Sequence, residues 1–206
     1  MNVYQKRKSP PFPPATATRL IQYFSATEKR FAQIATLGAD GQVEARTVWP
    51  RFDKKLGIFF FITHGQSAKW GQLLKNKKIA GSLYDSKAGM QLRWKGPVEL
   101  IGRDTRSLGK QQIRRRAWAI YPKQYREIYW KAWLEETGSK EKTSLDQVCP
   151  DFATVIMKPF FWYVDDVSKS PWVVRRQMFK KMTGKAWKRI ADSYPVGRAE
   201  YLKRKK

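Results

Sequence analysis

The sequence predicts a mainly antiparallel β-barrel with helices on its periphery. Three observations carry this expectation. Short strand-patterned runs recur between turn signals, beginning at Gly38-Ala39-Asp40-Gly41, where Asp-Gly marks a hairpin. The run Ile58-Phe59-Phe60-Phe61-Ile62 is apolar at every position, as a strand covered on both faces must be. Helical patterns fall between and after the hairpins, an order that suits a barrel with peripheral helices.

Taken in order, residues 1–16 hold four prolines and a basic patch without any period, and read as an extended arm. Residues 17–30 place Leu20, Ile21 and Phe24 at helical spacing. Phe31 to Leu37 reads as a strand, and Val43 to Phe52 as its return, alternating Val43, Ala45, Thr47 and Trp49 against Glu44, Arg46 and Val48. Lys54-Lys55 with Gly57 marks the next turn, before the buried strand Ile58 to Thr63. His64-Gly65-Gln66-Ser67 then opens a helix through Leu74, with Ser67 as N-cap. Lys78 to Tyr84 and Met90 to Ile101 read as two strands joined at Asp85–Gly89. Residues 104–136 read as helical in two pieces, broken at Tyr121-Pro122, and 135–143 as a polar connection. Phe152 to Val167, Trp172 to Phe179 and Ala186 to Ile190 close the chain as strands.

The 206 residues, 42% hydrophobic and 14% aromatic, are enough for one domain with a real core. We assign that domain to residues 17–197, with 1–16 as a disordered basic arm and 198–206 as a basic tail. One cysteine, Cys149, excludes an intrachain disulfide, and one histidine, His64, argues against multi-histidine metal sites. The apolar runs are too short to span a bilayer, and the basic N-terminus lacks the apolar stretch of a secretory signal. A cytoplasmic protein is expected. The net charge of +25 favours polyanions. It is spread along the chain, with clusters at Gln5–Lys8, Arg114–Arg116, Lys180-Lys181 and Lys203–Lys206. Binding to nucleic acid is expected to be weak and non-specific.

Several chemistries lack their residues. Neither a dinucleotide-binding glycine fingerprint nor a complete phosphate-binding P-loop occurs, and there is no G-x-S-x-G nucleophile elbow. Asp165 and Asp166 are neighbours in a strand, so they point to opposite faces and cannot easily share a site. They read as a turn or a solvated edge. A phosphate-binding pattern remains. Arg46 lies on the second strand, and Thr63 precedes Ser67-Ala68-Lys69 at a helix start. A helix N-terminus supplies N–H donors and a positive dipole end, Ser67 a hydroxyl and Lys69 a cation. If the two segments meet, Arg46 and Lys69 clamp one phosphate.

Three segments carry a family resemblance. Ala35–Gln42 with Ala45–Asp53 resembles the first hairpin of the pyridoxamine 5'-phosphate oxidase-like FMN-binding split barrels, A-T-x-x-x-D-G-x-P-x-x-R-x-V-L-L-[KR]-x-F-D. Phe60–Lys69 resembles that family's F-x-[YHF]-T-x-x-x-S-R-K, and Gln91–Glu99 its Q-[VL]-R-[VI]-x-G-x-[AV]-E. The resemblance covers residues 17–136 and continues more loosely through 152–195. It implies an antiparallel Greek-key split β-barrel binding FMN in a cleft between the subunits of a homodimer. It assigns the FMN phosphate to Arg46, Lys69 and Ser67, and the isoalloxazine to Thr47, Val48 and Trp49 through their backbone groups. Arg51 occupies the [KR] position of the same set. Ile62 and Thr63 would contact the flavin and its phosphate, Gln91 would reach it from the partner subunit, and Trp162 would flank the ring.

The departures from the family pattern bear on substrate. Ala68 stands where a second phosphate-binding Arg is usual, and Ile62 where Tyr or His is usual. Aligned on Pro122, the positions of the substrate-phosphate Tyr, Arg and Ser read Ala117, Tyr121 and Tyr125, and the C-terminal Arg-x-His has no counterpart. The resemblance therefore implies a flavin-dependent oxidoreductase with a remodelled substrate pocket. Two alternatives stay open: a polyanion binder that stacks bases on its nine tryptophans and nine tyrosines, and a flavin-binding barrel without turnover.

Overall fold

A computed structural model describes residues 11–26, 28–140, 143–166, 175–182 and 186–193. Helix α1 spans Pro14–Ser25. A hairpin of β1 (Ala32–Leu37) and β2 (Val43–Val48) follows, then β3 (Arg51–Asp53), β4 (Ile58–His64), α2 (Ala68–Lys75), β5 (Lys78–Asp85) and β6 (Met90–Ile101). Helices α3 (Leu108–Ala119) and α4 (Lys123–Thr137) come next, followed by β7 (Phe152–Met157), β8 (Phe161–Asp166), β9 (Arg175–Lys181) and β10 (Trp187–Ser193).

The ten strands form one antiparallel sheet ordered β10-β9-β8-β6-β5-β1-β2, with β7, β4 and β3 branching from β6. Strand β6 joins the two parts. Its first half, Met90–Lys95, pairs with β8, and its second half, Val98–Ile101, pairs with β7. Gly96 sits at the change of partner, where a Cβ would lie 2.5 Å from the Lys158 carbonyl oxygen. Only a residue without a side chain lets the two backbones pass that close. The result is an antiparallel split barrel with peripheral helices, the expected fold class.

Two apolar cores flank β4. Phe59 and Phe61 face the barrel interior with Phe12, Leu20, Phe24, Leu92, Trp94 and Trp162. Ile58 and Phe60 face the opposite way, onto Trp118, Tyr129 and Trp130 of α3 and α4, with Phe152 and Cys149. The continuous apolar run of β4 is thus explained by burial on both faces. Cys149 is a buried core residue whose thiol burial pushes up to about 11.

Three boundaries move because of a proline. The expected return strand 43–52 breaks at Trp49-Pro50, because Pro50 has no N–H to continue the ladder. The strand beyond the break, β3, pairs with β4 instead. The stretch 152–167 is likewise split at Lys158-Pro159-Phe160. Helix α1 begins at Pro14, inside the segment expected to be an extended arm, because proline suits a first helical turn. Phe12, also in that segment, is buried against Phe52, Phe59 and Trp162. The terminal basic clusters Gln5–Lys8 and Lys203–Lys206 and the residues Trp172–Val174 lie outside the described residues.

In the cluster Arg114–Arg116 only Arg115 is exposed. Arg114 is buried and donates to three carbonyl oxygens, Cys149 at 2.7 Å, Pro150 at 3.0 Å and Phe152 at 2.6 Å. Arg116 pairs with the buried carboxylate of Asp53, so α3 is tied to both β3 and the start of β7. Asp165 corrects the reading of a turn or solvated edge. It is fully buried, and Arg176 holds it through two bonds of 2.9 and 3.2 Å. No helix among the described residues is long and apolar enough to cross a membrane.

Replacing Arg114 by Met strands three carbonyls that its guanidinium satisfies, at an expected cost of roughly 2–4 kcal/mol. Urea unfolding of the variant should show a lower midpoint with an unchanged slope; an unchanged midpoint would mean that α3 is anchored by packing alone.

Candidate anion-binding site

The first hairpin places Arg46 opposite Ile34 and Glu44 opposite Thr36. Helix α2 packs against this part of β1 and supplies Gln72. The Gln72 side-chain oxygen accepts from Arg46 Nη1 at 2.9 Å and from the Thr36 hydroxyl at 2.6 Å, and its amide nitrogen donates to Glu44. Arg46 Nη2 also pairs with Glu44 at 2.8 Å. Gln72 is thus the hub that fixes Arg46. The sequence reading missed it, because a glutamine inside a helix carries no motif.

The second half of the site comes from the end of β4 and the start of α2. Lys69 Nζ donates to Thr63 Oγ1 at 2.9 Å, and Thr63 Oγ1 lies 2.9 Å from Ser67 Oγ. Ser67 Oγ gives its proton to the His64 carbonyl at 2.8 Å, so the Thr63 hydroxyl is the donor between the two. Ser67 occupies the N-cap position as expected, but its side chain makes no capping bond. Its hydroxyl is turned back to β4 instead. Lys69 is held below the ordinary lysine range, first by burial and then by the charge of Arg46. Two cations are therefore brought together beside two hydroxyls and a helix start. Such a niche gains from a dianion, which relieves the repulsion and accepts their protons.

The remaining expected residues are distributed differently. Thr47 is exposed and accepts from Gln33 at 2.9 Å. Val48 and Trp49 are buried. The Trp49 ring meets Tyr121 at 5.7 Å and Tyr125 at 6.2 Å between centroids. Arg51 lies over Trp49 and donates to the Ile120 carbonyl at 3.0 Å. Ile62 packs on the α3/α4 core, on the face of β4 opposite Thr63. Gln91 sits on β6 opposite Tyr84 and Asp165, with β5 and β1 between it and the β2 residues. Trp162 requires a correction. It is fully buried in the barrel and its indole donates to the Pro11 carbonyl at 3.0 Å. A side chain consumed by the core cannot flank a ligand.

The lone histidine has a partner that its neighbours in sequence do not reveal. His64 Nδ1 lies 2.7 Å from Asp151 Oδ2, and its ring stacks on Tyr129 at 4.1 Å. Among the described residues no cluster of three or more His, Cys, Asp or Glu is arranged to hold a metal ion.

Fold and cluster together define an antiparallel split barrel with a cationic, hydroxyl-lined niche where α2 begins. The family model for pyridoxamine 5'-phosphate oxidase matches residues 18–145, and the chain belongs to that family. No curated protein matches it. Among solved structures it is similar to a pyridoxamine 5'-phosphate oxidase-related, FMN binding protein of Nostoc punctiforme. That match has a TM-score of 0.73 and 20% identity and covers 89% of this chain and 98% of the other. It is also similar to PhzG of Burkholderia lata in complex with tetrahydrophenazine-1-carboxylic acid, with a TM-score of 0.63 and 17% identity, covering 91% and 95%. At these identities the likeness to the two structures is one of fold.

The lowered pKa of Lys69 fixes the sign of a pH effect. A base that titrates lower in the folded state penalises folding while protonated, and the penalty is relieved as pH rises through its folded pKa towards the free lysine value of about 10.4. The ligand-free Lys69→Met variant is therefore expected to gain stability relative to the parent at pH 7, and the gap should narrow towards pH 10. Urea midpoints of both proteins at the two pH values test this, and a gap that widens with pH contradicts it.

Proposed function

We propose that the protein is an FMN-binding homodimer acting as a flavin-dependent oxidoreductase on a substrate other than the vitamin B6 phosphates. The observation that carries this reading is Lys69 bonded to the Thr63–Ser67 hydroxyl pair at the start of α2, with Arg46, fixed by Gln72 of the same helix, near enough for its charge to act on Lys69. The residues present fit a phosphomonoester, because a partly buried lysine and an arginine are set beside two hydroxyls at a helix start. FMN binding by the Nostoc punctiforme relative supports the same reading.

In this reading Arg46 and Lys69 neutralise the phosphate, Thr63 and Ser67 orient it, and the backbone of Thr47–Trp49 borders the isoalloxazine. Gln91 reaches the cofactor from the partner subunit. Bound FMN supplies hydride acceptance at its N5, a chemistry that needs no side-chain acid or base. Arg51 keeps the Trp49 ring in place through its stacking position and its bond to Ile120. Trp162 is left out of this assignment because the barrel core consumes it.

The substrate side carries the departure. Tyr121 and Tyr125 stand where the family has an Arg and a Ser, and they pack against Trp49 and each other, 5.5 Å apart. A phenol is neutral or anionic at any pH, so neither tyrosine supplies the positive charge of the arginine it replaces, and burial pushes the Tyr121 phenol up to about 12. A phosphate left without a counter-charge in a partly desolvated site binds poorly.

Two experiments test this. The absorption spectrum of the purified protein is expected to show flavin bands, and FMN titration of apo-protein should saturate. Arg46→Ala and Lys69→Ala each remove a charge-assisted partner worth about 1.5–3 kcal/mol, a loss of roughly 10- to 150-fold in affinity. Undiminished FMN affinity in both variants would remove the assignment. Oxygen uptake with pyridoxamine and pyridoxine 5'-phosphates is expected to be very slow or nil. Turnover above about one per second, ordinary for enzymes, would show that the pocket retains the B6 substrates.

A further inference from the structure

We propose that Asp151 is a positioning residue for the phosphate half of the site, holding the turn between β4 and α2 so that Ser67 and Lys69 meet a phosphate. The proposal rests on the reading of the cluster as the FMN phosphate site.

Only Gly65, Gln66 and Ser67 separate β4 from α2, and three consecutive residues across this junction are bonded to Asp151. His64 Nδ1 lies 2.7 Å from Oδ2, the Gly65 N–H donates to the Asp151 carbonyl at 2.8 Å, and the Gln66 N–H donates to Oδ1 at 3.1 Å. The fit is tight, since a Cβ at Gly65 would lie 3.2 Å from Oδ1. Asp151 is itself fixed. It is buried, and Arg114 binds the carbonyls of Cys149, Pro150 and Phe152 on either side of it. The His64 ring is held between this carboxylate and the parallel face of Tyr129.

The local bonds tie Ser67 and Lys69 to the end of β4 but leave Gly65 and Gln66 to Asp151. Ser67 makes no side-chain cap, and its hydroxyl and N–H both return to the His64 carbonyl. Ser67 and Lys69 are held to β4 by Thr63 and the His64 carbonyl, and the turn His64–Gln66 between them has an anchor 85 or more residues away in sequence. Charge-assisted hydrogen bonds need donor–acceptor distances of about 2.7–2.9 Å, so a shift of the turn is felt at the phosphate. The flavin ring contacts proposed for Thr47–Trp49 come from β2, whose register is set by β1. Loss of the anchor should thus affect the phosphate and spare the ring.

The test is titration of the full-length protein with FMN and with riboflavin, which lacks the phosphate. Asp151→Ala is expected to weaken FMN binding about tenfold, the scale of one lost hydrogen bond to a charged group, and to leave riboflavin affinity within about twofold. Asp151→Asn keeps an acceptor for the Gln66 N–H and is expected to restore most of the FMN affinity. Equal losses for both flavins, or no loss for FMN, overturn the proposal. His64→Phe keeps the ring stack and drops one bond. It should lower the FMN-to-riboflavin affinity ratio in the same direction, and it decides the matter if the alanine variant does not fold. If the parent protein binds neither flavin, it is the FMN reading that fails. Amide hydrogen exchange in the ligand-free chain then decides the positioning role by itself. Faster exchange at Gly65 and Gln66 in Asp151→Ala or, if that variant does not fold, in His64→Phe supports the anchor, and unchanged exchange refutes it.

Discussion

Strand β4 presents apolar side chains alternately to two cores, so it has to be covered from both sides. That requirement organises the rest of the molecule. Phe59 and Phe61 demand a barrel interior, which the other strands and Phe12 close. Ile58 and Phe60 demand a second layer, which α3 and α4 provide. The same alternation continues to the strand's end, where the apolar residues give way to Thr63 and His64. Thr63 follows the barrel face into the cationic niche with Lys69 and Ser67, and His64 follows the helical face to Tyr129 and Asp151. The two polar groups at the mouth of the site are thus placed by the strand period that buries the phenylalanines.

The basic excess has a structural share. Arg30 pairs with Asp85 and lies over Tyr23, Arg51 binds a helix-end carbonyl, Arg114 ties three carbonyls, Arg116 holds Asp53, and Arg176 holds Asp165. Guanidinium suits these positions, since its planar fork can satisfy several acceptors at once. Five arginines of the formal charge therefore join elements of the fold. The charge composition alone could not distinguish them from a polyanion-binding surface.

Strand periodicity and turn chemistry made most of the fold legible. Asp40-Gly41 fixed the first hairpin and the Tyr121-Pro122 break separated α3 from α4, as their local chemistry dictates. What escaped depended on partners distant in sequence. Asp165 looked like a solvated edge because Arg176 and its pairing register are visible only once β8 and β9 are adjacent. Trp162 looked available to a ligand because nothing near it in the chain indicates that Phe12 and Pro11 close over it. In the site, Arg46, Thr63, Ser67 and Lys69 were legible as residue types beside a helix start. Gln72 and Asp151, which hold them, were not, since a glutamine and an aspartate acquire that role only from their place in the assembled sheet.

Holding the niche together has an electrostatic cost that the fold meets locally. Arg46 is balanced by Glu44 and fixed by Gln72, while Lys69 has hydroxyl neighbours rather than a carboxylate. The neutralised cation is therefore the one on the hairpin, and the cation on the helix is the one driven below its ordinary range. An arrangement that paired both with carboxylates would be more stable alone and less able to accept an anion. On the other side of Trp49 the pattern is reversed. Tyr121 is pushed towards its neutral form by burial, and its rings with Trp49 and Tyr125 form a wall of neutral aromatic surface. The Arg46–Lys69 cluster is thus cationic and hydroxyl-lined, and the Trp49 cluster is mainly aromatic surface. The first cluster suits the phosphate of the proposed ligand, while the cations beside the second, Arg51 and Lys29, lie over its Trp49 and Tyr125 rings.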